Sequence, residues 1–521
     1  MFDNLENDIL QATLIKLGKL KDNVVLKPHQ VNSVEKLLAQ DGHALIAHAT
    51  GTGKTLTSIA GVEALHNAGK ANRALVVVPN GLRENYATNV KKFTDSKVNI
   101  YGPLNEKDTK NVNQKSDAMY NVVGYETFNR HKDKLMESIH PDTLIIDEAH
   151  RTRNNHTDTF DKLREASNDV RNVMALTGSV INNEPSDILP LMEVVFGDAK
   201  ERRYRSNHKR MFNDYHVNNE ESFGSRLWRA ATMDDVRPPR HLIHQPDLSN
   251  FLDKRVDYVT HDTMQDYLPK KHEVTIHVPM SEKQTDLYHY ALRELNDPAF
   301  VKKIQEDRPV DVKDIAGRYT KLIRARQVST DPALLSESLK SVPVEERSPK
   351  IKKMMDDLQE HLDANPNNKV VVYSNLINSH LSSMQEALDN RHIGYSSFMG
   401  QGQMSHKERD KQLADFRKGK NRVILLSSAG GEGLDLPDAT MLQMMEGHYN
   451  PEKIQQAEAR IRRLSKEKQN DRTVEIRRYV SDPSTSGWRR MFAKTETGID
   501  QWVYDIAERK DGLNTQFRKL L

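Results

Sequence analysis

The 521-residue chain contains no cysteine. That absence removes disulfides, thiolate zinc sites and cysteine nucleophiles together, and it fits a chain that works in a reducing compartment. Long apolar runs are missing too. No stretch approaches the roughly 18 residues that a membrane helix needs, in keeping with a mean hydropathy of −0.74. Nor is there a surplus of one charge: 77 Lys plus Arg stand against 74 Asp plus Glu, and a net charge of +3 does not by itself mark a nucleic-acid binder. Any electrostatic footprint must be local. The basic clusters at 200–210, 460–468 and 472–478 each read, taken singly, as a solvated face. The opening MFDNLENDILQATLIKLGKL has acids where a secretory leader would be basic and lacks a continuous apolar stretch, so mature, soluble, cytoplasmic sequence is expected.

At roughly 150 residues per domain, the length allows about three domains. From 43 to 197, short β-rich runs (HALIAH, RALVVVP, NVVGY, DTLIIDEAH, RNVMALTG) alternate with amphipathic segments, which predicts a parallel sheet flanked by helices. A second set follows residue 350, as NKVVVYSN, RVILLSS and TVEIRRYV, with helical patterns at 379–390 and 406–418 between them. Two α/β lobes are expected. The intervening stretch is richer in charge and poorer in β-type runs, and KQTDLYHYALREL has the spacing of an amphipathic helix. The expected division is therefore an N-terminal lobe at 1–197, helical insertions and a connector at 198–345, and a C-terminal lobe at 346–521. Within the connector, SVPVEERSP at 341–349 is the expected linker.

AHATGTGKT, at 47–55, lies between an apolar strand and a helical pattern, the placement of a phosphate-binding loop. In that reading Thr50, Gly51, Thr52 and Gly53 curl backbone N–H groups around phosphates, Lys54 reaches the β- and γ-phosphates, and Thr55 offers a hydroxyl to Mg²⁺. His48 stands where the usual spacing places the first glycine. LIIDEAH, at 144–150, ends an apolar run in two acids, and acids at a strand's end face the crevice where α/β sheets bind ligands. Asp147 would hold Mg²⁺ and Glu148 would activate the attacking water. Gln30 in LKPHQ carries a paired donor and acceptor that could read an adenine edge, with a surface helix cap as the equal alternative. Thr177, Gly178 and Ser179 follow the strand NVMAL and read either as a coupling element or as a plain turn. In the second lobe, SSAGGEGLDL at 427–436 allows close backbone approach, and Gly433 and Asp435 there join Gln456 in the expected nucleotide-facing set. Arg460 and Arg463, three apart in the helical pattern QAEARIRR, would share one face and act as arginine fingers; a basic helix that contacts solvent or nucleic acid is the alternative.

In this order, the segments resemble those of superfamily-two helicases, and within them the Swi/Snf-like double-stranded DNA translocases. The resemblance runs from Leu26 to about Phe517. LKPHQ looks like the adenine-reading motif. VVVPNGLRENY (76–86) is similar to the segment facing one nucleic-acid strand, and ALTGSVINNEPSDILPLMEVV (175–195) to the stretch leading into a helical protrusion. YLPKKHEVTIHVPMSEKQTDLYHYAL (267–292) looks like the bridge to the second lobe, and LIRARQVSTDPALL (322–335) like the helix before that lobe's first strand. FMGQGQMSHKERDKQLADF, SSAGGEGLDLPDAT and QAEARIRRLSK follow the later motifs. Departures are the Ser179-Val180-Ile181 triplet where Thr-Pro-hydrophobic is usual, Arg462 where histidine is common, and Lys466 where glutamine is common.

The resemblance implies two RecA-like parallel-sheet lobes with helical insertions between them, in a compact motor of viral or phage type with no accessory reader domain. It implies an ATPase, with ATP and Mg²⁺ as cofactors and DEAH as its acidic box, that translocates along duplex DNA. Two rivals differ in their predictions: a strand-separating or branch-migration helicase would unwind forks, and an ATP-switched scaffold would show no turnover. An unrelated phosphate-loop kinase leaves the second lobe unexplained.

Overall fold

The computed structural model describes residues 20–102, 110–178, 180–181, 185–197, 217–218, 241–242, 244–253, 255–260, 262–308, 312–399, 404–427, 434–463, 472–484 and 496–521. Strands β1 (His43–His48), β2 (Ala74–Val78), β3 (Val98–Tyr101), β4 (Tyr120–Gly124), β5 (Thr143–Ile146) and β6 (Asn172–Thr177) form a parallel sheet. A two-residue ribbon pairs β7 (Val217–Asn218) with β8 (His241–Leu242), and β9 (Val256–Val259) then completes the sheet in the order β3-β4-β2-β5-β6-β1-β9. Its inner strands are continuous apolar runs because helices cover both faces. Leu45, Leu75, Val77, Leu144 and Ile146 pack into one layer. Their neighbours Ile46, Val76, Val78 and Ile145 pack into the opposite one, as a side-chain period of two requires.

The second sheet runs β10 (Lys270–Pro279), β15 (Thr473–Asp482), β14 (Met441–Met444), β11 (Val370–Ser374), β13 (Val423–Ser427) and β12 (Tyr395–Phe398), again all parallel. Val370, Val372 and Leu425 face one layer, and Val371, Ile424 and Leu426 face the other. The last helix, Ile499–Arg518, starts with Trp502 and Val503 buried beside the helices of the middle region, while Phe517 lies in the first lobe's core. No helix among the described residues is long and apolar enough to cross a membrane.

Two expectations need correction. The middle stretch is not helical insertion and connector alone: it gives β9 to the first sheet and β10 to the second. Mixed exposure hides both strands from a hydropathy reading, since β10 is a largely exposed edge and β9 has two partly exposed residues at its centre. The stretch 341–349 is not a loose linker either. Ser348 caps the helix Pro349–Ala364 through the Ile351 amide, and Arg347 pairs with Asp331 at 2.9 Å and Glu386 at 2.7 Å. Because Asp331 is buried, Arg347→Ala strands a carboxylate and should lower unfolding stability by about 3–5 kcal/mol, read as a shift in the urea midpoint.

The order β5-β6-β1 places three neighbouring carboxyl ends side by side. That single fact gathers 48–55, 147–148 and 177–178 into one crevice.

Candidate active site

After β1 the chain turns through residues 49–53 into the helix Lys54–Asn67. Gly51 and Gly53 have φ of 89° and 90°, where a side chain is strained. There is no room for one either. A Cβ on Gly53 would stand 2.6 Å from Gln30 Nε2, and a Cβ on Gly51 would stand 3.2 Å from both the Arg462 carbonyl and Arg463 Nη1. The loop is thus clamped between the helix that carries Gln30 and the arginine-bearing turn of the second lobe. Gly178 closes the third side, since a Cβ there would lie 2.7 Å from Thr50 Oγ1 and 3.5 Å from Lys54 Nζ.

Lys54 Nζ donates to the carbonyls of His48 at 2.9 Å and Ala49 at 3.4 Å. Burial pulls its pKa down, Glu148 and Asp147 support the charge, and Arg463 and Arg460 oppose it. Thr52 Oγ1 donates back to the Ala49 carbonyl at 2.7 Å, which tightens the turn.

Asp147 and Glu148 follow β5 directly. The Asp147 carbonyl accepts the Tyr125 hydroxyl at 2.8 Å, and its Oδ1 accepts the Glu148 amide at 2.9 Å. Glu148 itself takes a φ of 50°, unusual for a side-chain-bearing residue, and these bonds hold it there. Burial and the Glu148 charge push the Asp147 pKa up. Burial opposes the ionised Glu148 as well, yet His150, Lys54 and Arg460 outweigh it and hold that pKa down. His150 Nδ1 lies 3.2 Å from Glu148 Oε2. The pair therefore divides into one carboxylate kept ionised and one that holds its proton more tightly.

The arginine pair is placed differently from expectation. The helix Pro451–Glu458 stops before Arg460, so Arg460 and Arg463 sit on the turn beyond it and not on a helical face. That turn is fixed by Leu436, whose amide donates to the Arg460 carbonyl at 2.9 Å. Both guanidiniums still point the same way, each 3.4 Å from the Leu434 carbonyl, and Arg463 forms an ion pair with Asp435. Burial, with Arg463 beside it, pulls the Arg460 pKa down to about 10. Both stay charged at neutral pH, so the turn presents two poorly solvated cations.

Gln30 is buried, so it is no surface residue, but it does cap its own helix, as the N3 residue whose side chain accepts the amide of the N-cap Lys27. Its amide is occupied by backbone: Nε2 donates to the Gly53 carbonyl at 3.2 Å and Oε1 accepts the Lys27 amide at 2.8 Å. Gln30, Thr50, Gly51, Thr52, Gly53, Lys54, Thr55, Asp147, Glu148, Asp435, Gln456, Arg460 and Arg463 nevertheless all line one cavity of about 630 Å³ between the lobes. Gly433, Ser179 and Lys466 fall outside the described residues, as does the cluster at 200–210. Two features escaped the sequence reading. His150 carries no role in the motif reading, and Asn23, Val24 and Val25 extend the cavity wall just upstream of LKPHQ, where no motif advertises them. The cluster at 472–478 is internally engaged: Arg477 pairs with Glu475, Arg478 with Glu458, and Arg472 donates to the carbonyls of Pro437 and Ala439.

Residues 29–334 match the SNF2-related domain and residues 353–465 match the helicase conserved C-terminal domain. The chain belongs to the SNF2-related family. It is accordingly a superfamily-two, Swi/Snf-like ATP-dependent motor with two RecA-like lobes, and an ATPase. A protein of Acanthamoeba polyphaga mimivirus, named as an ATP-dependent RNA helicase, is 24% identical, covering 96% of this chain and 97% of its own. The DNA repair and recombination protein RAD54 of Saccharomyces cerevisiae is also 24% identical, over 81% of this chain and 49% of its own. The yeast ISWI chromatin-remodeling complex ATPase ISW1 shares 24% identity over 92% of this chain and 41% of its own. This SNF2-related ATPase thus spans less than half the length of the two yeast relatives. Among solved structures, the Sulfolobus solfataricus SWI2/SNF2 ATPase core in complex with dsDNA is 18% identical, covers 96% of this chain and 97% of its own, and has a TM-score of 0.38.

Proposed function

We propose that this ATPase hydrolyses ATP in the inter-lobe cavity and uses the cycle to move along duplex DNA, displacing material bound there. The observation that carries the proposal is the shared lining: one cavity is walled by the phosphate loop and acid pair of one lobe and by the arginine turn of the other. A site built from both lobes makes nucleotide occupancy and lobe arrangement one equilibrium. The domain limits proposed are 1–197 and 346–521 for the lobes, with β9 and β10 added from the stretch between.

In this reading Lys54 leaves its two carbonyls to meet the β- and γ-phosphates, while Gly51 and Gly53 give the loop's amides their approach. Gln30 supports Gly53 at the base end of the cavity, beside Val25 and Lys27. Glu148, held ionised, accepts a hydrogen bond from a water and aligns it on the γ-phosphorus. The water's oxygen forms the new P–O bond, the bond to the β–γ bridging oxygen breaks, and the released proton passes towards Glu148. Arg460 and Arg463 neutralise the charge that spreads over the equatorial oxygens. Thr55 and Asp147 offer oxygen donors that fit Mg²⁺. No cluster of three metal-ligating side chains occurs among the described residues, which suits an ion that takes few protein ligands and completes its shell with phosphate and water. When bound, Mg²⁺ would supply charge neutralisation on the phosphates.

Duplex DNA is the proposed track because relatives across most of this chain are named for DNA repair and chromatin remodelling. Phosphate contacts position without specifying sequence. Steady-state ATPase should rise at least about tenfold with duplex DNA, grow with duplex length, and fall steeply between about 50 and 200 mM salt. Stimulation by single strands, forks or RNA in preference to duplex would move the assignment to a strand-separating helicase.

A further inference from the structure

His48 occupies a position at the head of the phosphate loop where glycine is usual, and its side chain is fully buried. Its Nε2 lies 2.6 Å from Asp257 Oδ2 and 3.3 Å from Ser33 Oγ. Facing two oxygens, Nε2 carries the proton and donates to Asp257. Ser33 also hydrogen-bonds Asp257, and its hydroxyl lies 2.7 Å from the His29 carbonyl. The His29 ring in turn lies edge-on to that of His48, with centroids 5.4 Å apart, and its Nε2 is 3.0 Å from the Thr52 carbonyl.

Three chain segments, the one that carries the ring included, therefore meet at His48. Ser33 comes from the helix Pro28–Ala39, which also carries Gln30. Asp257 comes from β9, in register with Ile46 of β1, and the Val259 carbonyl of the same strand accepts the Ala49 amide at 2.8 Å. The third segment is the loop itself, because the His48 and Ala49 carbonyls are the two that hold Lys54 Nζ. Asp257 is mostly withdrawn from solvent, with a side chain 16% exposed, so its charge needs the ring's N–H. A glycine at 48 would leave that carboxylate facing a void and would free the backbone on which Lys54 rests.

We infer that His48 is a positioning residue for nucleotide binding: anchored by Asp257 and Ser33, it fixes the carbonyl rungs that preset the Lys54 ammonium. It also locks the loop to β9, the strand after which the chain crosses to the second lobe. The inference rests on the reading of Lys54 as the phosphate-binding lysine. Its effect falls on the ground state. An unanchored loop must order itself when phosphate arrives, which weakens ATP and ADP binding alike, whereas the cations around the bound phosphates are unchanged and turnover once bound is kept.

The test uses the full chain and compares the parent with His48→Ala, His48→Gln and Asp257→Asn, measuring KM for ATP, kcat, the Kd for ADP and the thermal midpoint. His48→Ala should raise KM and the ADP Kd by about tenfold with kcat within about threefold, and Asp257→Asn should shift both constants in the same direction. His48→Gln, which keeps a donor near the Nε2 position, should return both to within about threefold of the parent. Unchanged KM and ADP Kd in Asp257→Asn and in a folded His48→Ala chain, with only the thermal midpoint lowered, would overturn the inference. So would a His48→Gln chain no better than alanine. If His48→Ala does not fold, Asp257→Asn and His48→Gln decide. Lys54→Ala is measured alongside: if it keeps the parent's ADP affinity and turnover, the premise about Lys54 fails, whereas its loss beside unaffected His48 variants removes this inference alone.

Discussion

Glu148→Gln should bind ATP with near-parent affinity and lose turnover by a factor on the order of 10² to 10⁴. The substitution keeps the side chain's size and removes the carboxylate that the site works hardest to keep ionised. Burial alone would raise the Glu148 pKa, but His150, Lys54 and Arg460 together hold it down. A group with a depressed pKa stays deprotonated as pH falls through the ordinary carboxylate range, so the parent's turnover at mildly acidic pH should not decline on account of Glu148. Lys54→Ala should fail one step earlier, because the buried ammonium is then missing from a loop whose glycines give a phosphate its approach. Reduced nucleotide affinity together with lost turnover is expected there, and single-turnover kinetics with equilibrium nucleotide binding separate the two variants. A Glu148→Gln chain that hydrolyses ATP at the parent rate would remove the carboxylate from the mechanism.

The second large effect belongs to the turn of the other lobe. Arg463→Ala should lower kcat by at least about a hundredfold while the KM for ATP changes by less than about tenfold, and Arg460→Ala should act in the same direction. Two desolvated guanidiniums gain most when charge spreads over the transferring phosphoryl group, so their removal weighs on the transition state more than on the ground state. Their effects should not add, since Arg463 lowers the Arg460 pKa and both guanidiniums lie 3.4 Å from the Leu434 carbonyl. Arg463→Lys should recover little, because an ammonium cannot reproduce the planar fork. Stimulation by DNA should be lost with kcat in both alanine variants, since a one-lobe cavity no longer reports the position of the other lobe. Equal losses in kcat and in nucleotide affinity would instead make these arginines ground-state ligands.

Much of this architecture was legible because the inner strands of a parallel sheet are buried on both faces. HALIAH, RALVVVP, NVVGY, TLII and NVMAL became β1, β2, β4, β5 and β6, and VVVYS, VILLS and TVEIRRYV lie in β11, β13 and β15. Among the strands that escaped notice, β3 and β12 are short and mostly only partly buried, so no apolar run marks them, whereas β5, equally short, is buried throughout; β14 has Gln443 inside its run. The β10 edge escaped for a different reason: exposed to solvent along most of its length, it alternates Lys, His and Glu with Val and Ile and reads as connector.

The phosphate loop and acid pair could be read because local spacing carries their chemistry. The arginines were legible as residues but not as geometry. Helical periodicity over QAEARIRR ran past Glu458, where the helix ends, and the feature that stops the turn, Leu436, lies on another segment. Gln30 shows the same limit, since only the fold reveals that its amide is committed to Gly53 and Lys27. His48 was noticed as a missing glycine, yet its partner Asp257 lies 209 residues away, beyond the reach of any local pattern.

The central claim is that ATP turnover between the lobes drives movement along duplex DNA, and displacement of a third strand from a triplex tests it most directly. A labelled triplex-forming strand is bound at one end of a long duplex, and its release is followed with ATP, without ATP, and with Glu148→Gln in place of the parent chain. The account predicts ATP-dependent release by the parent, with a lag that lengthens as the duplex lead-in grows, no release by Glu148→Gln, and no separation of the duplex strands. Vigorous ATP hydrolysis on duplex DNA with the third strand left in place would contradict it.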